Sequence, residues 1–210
     1  MIILELFAGQ RCIGKAAEAL GHTVYSIDWA DLPGLYKRMD IGGFKESDIP
    51  HTPDHVHASF DCKTYTISAI SKHRNGIIPK SEYAVFCDEV NQHVLFIIAS
   101  YKKKNPMLTF SIENPRGMLR KMPWMQGLPR HTVWYCQYGD DRAKPTDIWT
   151  DIPGWTPRPQ CHNGNKDCHH QPAPRGSRTG TQGRKNSEQR SLIPEALCRE
   201  LIEARQLDEI

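Results

Sequence analysis

The sequence predicts an α/β domain with a mostly parallel sheet, and three features predict it. Apolar, β-rich runs alternate with segments of helical spacing. The first strand–helix junction is a glycine turn, "ELFAGQRCIG", and the second strand, "TVYSID", closes on an acid, Asp28. That order opens a βαβ unit of the kind that holds nucleotides.

The elements follow in order. "MIILELF" reads as a strand, and Ile13, Ala16, Ala17 and Leu20 mark one face of a helix that Gly21 stops. After "TVYSID", the run "HVHASF" is a strand leading to Cys62. "SEYAVFCDEVNQHVLFIIASYKKKN" is the longest helix, with a broad apolar face from Ala84 and Val85 through Leu95 to Ile98. Lys102, Lys103 and Lys104 suit the negative end of its dipole. "MLTFSIENP" and "HTVWYCQYG" are further strands, and "SLIPEALCRELIEARQLDEI" returns to helix, with Pro194 near its first turn. From Pro145 the chain becomes dense in proline and glycine. The expected division is therefore a core at 1–144, a small irregular insertion at 145–190, and a helix at 191–210 that packs on the core.

Composition sets outer limits. A chain of 210 residues, 39% hydrophobic and 24% charged, can bury one real core. No apolar run approaches the roughly 20 residues that span a bilayer, and "MIILELFAG" lacks the basic start of a signal peptide. Seven cysteines without a secretory context point to thiols or metal sites in a reducing cytoplasm. A net charge of +3 is too mild to define a partner. Locally, however, Arg175, Arg178, Arg184 and Lys185 crowd a glycine- and hydroxyl-rich stretch, which suits phosphate contacts and a DNA partner as well as it suits a solvated loop.

Three groups of residues could carry chemistry. The backbone at Gly9 can approach a ligand closely, and the helix after it offers free N–H groups. Asp28 is placed for ribose hydroxyls and Asp40, in "MDIGGF", for an exocyclic amine, so a nucleoside-containing cofactor is expected. Cys62, followed by Thr64, Tyr65, Thr66 and Ser68, is open to four readings: buried filler, half of a disulfide, metal ligand or nucleophile. The segment "CHNGNKDCHH" supplies soft ligands at high density. With Cys136 from the preceding strand, the preferred zinc set is Cys136, Cys161, Cys168 and His170. A region poor in core residues has reason to use a metal, because binding energy can replace burial.

"LELFAG", "MDI", the strand-end cysteine, "IENPRG" and "QYGDDRAKPTDIW" occur in the order of the motifs of cytosine-5 DNA methyltransferases. The chain resembles the short phage and prophage members of that family over roughly residues 3 to 203. The resemblance implies a Rossmann-like, S-adenosylmethionine-dependent methyltransferase fold, with Phe7, Ala8, Gly9, Asp28 and Asp40 lining the cofactor site. It implies that Cys62 is the nucleophile that adds to carbon 6 of cytosine, that Glu113 hydrogen-bonds ring nitrogen 3, and that Arg142 holds the base and cofactor side. Lys144 stands where a second arginine is common. The partner implied is DNA, with the target base flipped out of the duplex, and the compartment is the host cytoplasm if the protein is phage-encoded.

Two departures stand out. Family members usually have two prolines before the cysteine, where this chain has Phe60 and Asp61, and a pair of glycines where it has Arg11 and Cys12. A carboxylate beside the thiol raises its pKa. These departures keep two alternatives open: a pyrimidine-modifying enzyme of altered chemistry, acting on DNA or free nucleotide, and a nucleic-acid-binding relative without turnover.

Overall fold

The computed structural model describes residues 1–173 and 187–206. A seven-stranded sheet runs through it, built from β1 (Ile2–Leu6), β2 (Thr23–Asp28), β3 (Lys37–Arg38), β4 (His55–Ser59), β7 (Thr109–Pro115), β8 (Arg130–Trp134) and β9 (Pro145–Thr150). A separate two-stranded hairpin pairs β5 (Arg74–Asn75) with β6 (Ile78–Pro79). The order across the large sheet is β3-β2-β1-β4-β7-β9-β8. The first five strands in that order are parallel, and β9 pairs antiparallel with both β7 and β8.

Alternation along the strands assigns each face its helices. Leu4 and Leu6 of β1 face the side covered by α3 (Glu82–Lys104), packing with its Val90, Val94 and Ile98. Ile3 faces the other side, covered by α1 (Cys12–Ala19) and α5 (Glu195–Gln206), through Ile13, Ala17, Leu197 and Leu201. A sheet buried on both faces explains why its central strands read as nearly continuous apolar runs. Ser81 caps α3 by accepting from the Ala84 N–H at 3.1 Å. The expected apolar face of α3 needs one correction: Val85 is 41% exposed. The inner face instead takes in Asp88 and Asn91, because these bond the buried Tyr65 and Arg74.

The boundary expected at 144 is also displaced. Pro145–Thr150 is a strand of the main sheet, paired on one side with β7 and on the other with β8. The proline at its start costs no ladder bond in this position. The irregular region begins after Thr150. Cys136, expected in a strand, lies on the 3-10 turn Tyr135–Tyr138 that follows β8. Towards the C-terminus, a short helix α4 (Ser187–Ser191) precedes Pro194 and α5. Helix α2 (Ile70–His73) leads into the small hairpin. Among the described residues, no helix is long and apolar enough to cross a membrane.

The chain runs from β1 outward to β2 and β3, then returns to place β4 on the other side of β1. In open α/β sheets the crevice at such a reversal, beyond the carboxyl ends of the strands, is where ligands bind. Here that crevice lies between the turn after Leu6 and the loop after Ser59.

Candidate active site

The turn after β1 is held by the end of β2. Phe7 and Gly9 both take positive φ, at 54° and 49°. The Asp28 carboxylate accepts from the Gly9 N–H at 2.9 Å through one oxygen and from the Ala30 N–H at 2.9 Å through the other. The next residue, Trp29, is 67% exposed.

Arg11 sits at the N-cap of α1 in the left-handed region, at φ 56°. Its side chain folds inward, donating from Nε to Ser26 Oγ at 3.0 Å and pairing with Glu18. Ser26 in turn donates to the buried Glu5 at 2.6 Å. Room for the guanidinium comes from Gly34, where an added Cβ would lie 2.5 Å from an Arg11 nitrogen. The departure from a glycine pair is thus absorbed by a buried polar network.

The loop after β4 carries Cys62. Phe60 is buried, with its ring edge-on to Phe7 at 5.7 Å between centroids. Asp61 accepts from the Lys63 N–H at 2.8 Å and from the Tyr83 hydroxyl, which ties the loop to α3. These bonds supply the stiffness that two prolines would otherwise give. Beyond the cysteine, the buried Arg74 donates to Thr64 and forms an ion pair with Asp88. Gly117 lets the two motif loops meet: a Cβ there would lie 2.4 Å from the Tyr65 carbonyl, which accepts from the Met118 N–H at 2.8 Å.

Glu113 lies opposite Ser59 in the β4–β7 register and is 6% exposed. The Tyr135 hydroxyl donates to its carboxylate at 2.7 Å. Phe7, Ala8, Gly9 and Asp28 line one cleft of about 480 Å³ together with Cys62 and Glu113. Asp40 lines a neighbouring cavity of about 430 Å³ that shares Phe7, Asp28 and Trp29 with the cleft. Its carboxylate also accepts from the Gly42 N–H at 2.7 Å. Burial pushes the Cys62 thiol up to about 11, with the charges of Glu113 and Asp61 adding to it and Lys144 opposing.

The two basic residues of "DDRAK" have separate positions. Arg142 is buried and does not line the cleft. Its guanidinium pairs with Asp140 and donates to the carbonyls of Gln189, Arg190 and Leu192 at 3.2–3.3 Å. It therefore positions the segment whose Arg190, Ser191 and Ile193 wall the cleft. Lys144 does line the cleft, with Nζ 4.4 Å from the Tyr135 ring centroid.

A second site lies at the far end of the sheet. The ligand atoms of Cys136, Cys161, Cys168 and His170 all fall within 4.8 Å of one another. They pack beside Trp134 and Ala143. His170 Nδ1 is 3.8 Å from the Cys161 sulfur, and its Nε2 is buried without a hydrogen-bond partner. Three thiols and an imidazole form a donor set suited to tetrahedral zinc. The loop that supplies three of them holds little helix or strand. His169 points elsewhere, to the Asp140 carbonyl at 3.0 Å. Arg175, Arg178, Arg184 and Lys185 lie outside the described residues.

Sequence reasoning did not single out Trp29, Ser59, Tyr135 or Asn114 at the site. For Trp29 a signal existed in its position, directly after the acid that closes the second strand. The others depend on register and turns that only the folded chain reveals.

No protein-family model matches the chain. It is 28% identical over 165 residues to the probable DNA (cytosine-5)-methyltransferase of Frog virus 3 (isolate Goorha), covering 75% of this chain and 74% of that protein. The Entamoeba histolytica methyltransferase EhMeth has the same fold, with a TM-score of 0.52 and 13% identity over 77% of this chain and 56% of that one. The S. pombe Dnmt2 methyltransferase aligns with a TM-score of 0.49 and 13% identity over 75% of this chain and 52% of that one. The chain spans about half the length of these solved structures. The chain is thus similar in sequence to a viral DNA (cytosine-5)-methyltransferase and shares the fold of a solved methyltransferase.

Proposed function

We propose that the protein transfers a methyl group from S-adenosylmethionine to carbon 5 of cytosine in DNA through a covalent adduct at Cys62. One observation carries this reading: Cys62 and Glu113 line a single cleft with the Phe7–Gly9 turn and Asp28. The fit to the cofactor rests on that turn, on the Asp28 carboxylate for ribose hydroxyls, and on Asp40 and the exposed Trp29 beside the base. Bound there, S-adenosylmethionine supplies an electrophilic methyl group.

The chain's own residues make carbon 5 able to take it. That carbon is a poor nucleophile within an aromatic ring. When the Cys62 sulfur bonds to carbon 6, aromaticity is lost and carbon 5 becomes enamine-like. Glu113 holds ring nitrogen 3 by a hydrogen bond and draws electron density from the ring. After transfer, solvent water takes the proton from carbon 5, the C–H pair re-forms the double bond to carbon 6, and sulfur leaves with its bonding pair, which restores the ring and frees Cys62. Arg142 acts at one remove, by holding residues 189–192 against the cleft. A zinc ion on Cys136, Cys161, Cys168 and His170 would anchor the loop after β9 beside the sheet, and in this reading Arg175, Arg178, Arg184 and Lys185 supply contacts to DNA phosphates.

The test is transfer of labelled methyl to mixed-sequence DNA. Cys62→Ala should abolish it while leaving S-adenosylmethionine binding within about twofold. Transfer retained by that variant removes the covalent mechanism. A second reading, a binding protein without turnover, is favoured by the thiol at about 11. Unaided, it would leave roughly one thiolate in ten thousand at neutral pH. Absence of transfer by the wild type, with DNA and cofactor both bound, would favour that reading.

A further inference from the structure

The cleft poses a problem of proton removal. Cys62 is flanked by the carboxylates of Glu113 and Asp61, both of which oppose the thiolate. Of the nearby cations, Lys63 pairs with Asp61 at 3.6 Å and Arg142 pairs with Asp140. Lys144 differs from both. It is 4% exposed, and among the described residues its Nζ donates to one acceptor, the Arg190 carbonyl at 3.1 Å, and otherwise lies against the Tyr135 ring.

We propose that Lys144 is the proton acceptor for Cys62, an inference that rests on the covalent role assigned to that cysteine above. The Sγ–H bond breaks, the proton passes to the lone pair on Nζ, and the electron pair left on sulfur forms the bond to carbon 6. When the adduct collapses, the proton returns from Nζ to sulfur. A neutral amine can donate one N–H to the Arg190 carbonyl and keep its lone pair for the thiol. An arginine here could not serve, because a guanidinium stays protonated and has no lone pair to offer. The lysine in place of a family arginine therefore matters chemically, and it answers the handicap that Asp61 introduces.

The groups facing Nζ come from every neighbouring element. Glu113 of β7, Cys62, Asp61 and Lys63 of the loop after β4, and Arg190 of α4 line the same cleft as Lys144; Tyr135 lies against Nζ, the Arg190 carbonyl accepts from it, and Asp140 and Arg142 add their charges from its own loop. Burial pushes the ammonium down and Glu113 pushes it back up; Arg142 lowers it again. The amine is thus kept closer to neutrality than a surface lysine.

A thiol and an amine that exchange a proton form a thiolate in a fraction independent of pH, above the amine's own pKa. A thiol that ionises into water gains about tenfold in thiolate per pH unit. The experiment is the rate of Cys62 alkylation by iodoacetamide, read by peptide mass, from about pH 7 to pH 10. The wild-type curve should bend over as the amine loses its proton, while the variants' curves do not. Lys144→Met and Lys144→Gln should start lower and keep rising about tenfold per unit. Gln keeps a donor for the Arg190 carbonyl, so a fold lost in the Met variant leaves the test standing, with melting curves to identify it. A wild-type rate that rises tenfold per unit throughout, or variants that level off with the wild type, would overturn the proposal. Alkylation needs neither DNA nor cofactor. It therefore reports on Lys144 even if methyl transfer fails, and transfer with an unaltered pH profile in Lys144→Gln would overturn Lys144 alone.

Discussion

The Asn114 side-chain amide donates to the carbonyl of Phe60 at 2.8 Å, inside the protein. This bond ties the loop that carries Cys62 to the strand that carries Glu113, next to Glu113 on one side and two residues before Cys62 on the other. It sets the distance across which a pyrimidine ring would be held.

Removing that donor should therefore affect chemistry more than binding. Asn114→Ala leaves a buried carbonyl unpaired, at a cost of about 1–3 kcal/mol. For a chain of this size that lowers Tm by about 2–4 °C per kcal/mol. Methyl transfer should fall by at least about tenfold while cofactor affinity changes little. Thermal melting and single-turnover rates check this, and full activity at an unchanged Tm would contradict it.

Asp61 both stiffens the loop and burdens the sulfur, and the two effects can be separated. Asp61→Asn can keep the oxygen that accepts from the Lys63 N–H and turns an amide N–H toward the Tyr83 oxygen in place of the second acceptor, but removes the charge that raises the Cys62 pKa. The thiol should ionise at lower pH, and alkylation at about pH 8 should quicken several-fold. A pH profile identical to the wild type's would show that the carboxylate does not act on the sulfur.

The four-residue cluster should hold one zinc per chain, measurable by elemental analysis of the purified protein. Cys161→Ser or Cys168→Ser should lose the metal and several kcal/mol of stability. That corresponds to a fall in Tm of about 10 °C, with the sheet otherwise retained. Metal-free protein with the wild-type Tm would contradict the assignment.

What the sequence made legible was whatever is written in local pattern. The 3.6-residue spacing of Ile13, Ala16, Ala17 and Leu20 and the β-rich "TVYSID" were enough to read the opening strand–helix–strand unit. The density of cysteine and histidine between 161 and 170, with Cys136, was enough to choose four side chains that meet in space. What stayed hidden depends on tertiary placement. Pro145 looked like the start of a linker because proline marks loops, yet it opens a strand whose partners lie thirty residues back on β7 and ten back on β8, roughly counted. Arg142 and Lys144 are two positions apart in one motif, and only the fold turns one toward the backbone of residues 189–192 and the other into the cleft. Asp61 read as a liability, because its bond to Tyr83 spans 22 residues and leaves no local trace.

The central claim is that Cys62 attacks a cytosine held by Glu113, and 5-fluorocytosine tests it most directly. Fluorine at carbon 5 cannot leave as a proton does, so the adduct is trapped after methyl transfer. With duplex DNA carrying that base and S-adenosylmethionine present, the wild type should form a complex that survives denaturation, with the added mass on the Cys62 peptide. Cys62→Ala should form none, and Glu113→Gln should form it at least about a hundredfold more slowly. A wild-type complex that dissolves in salt and leaves Cys62 unmodified, in protein that still binds the cofactor, would contradict the account.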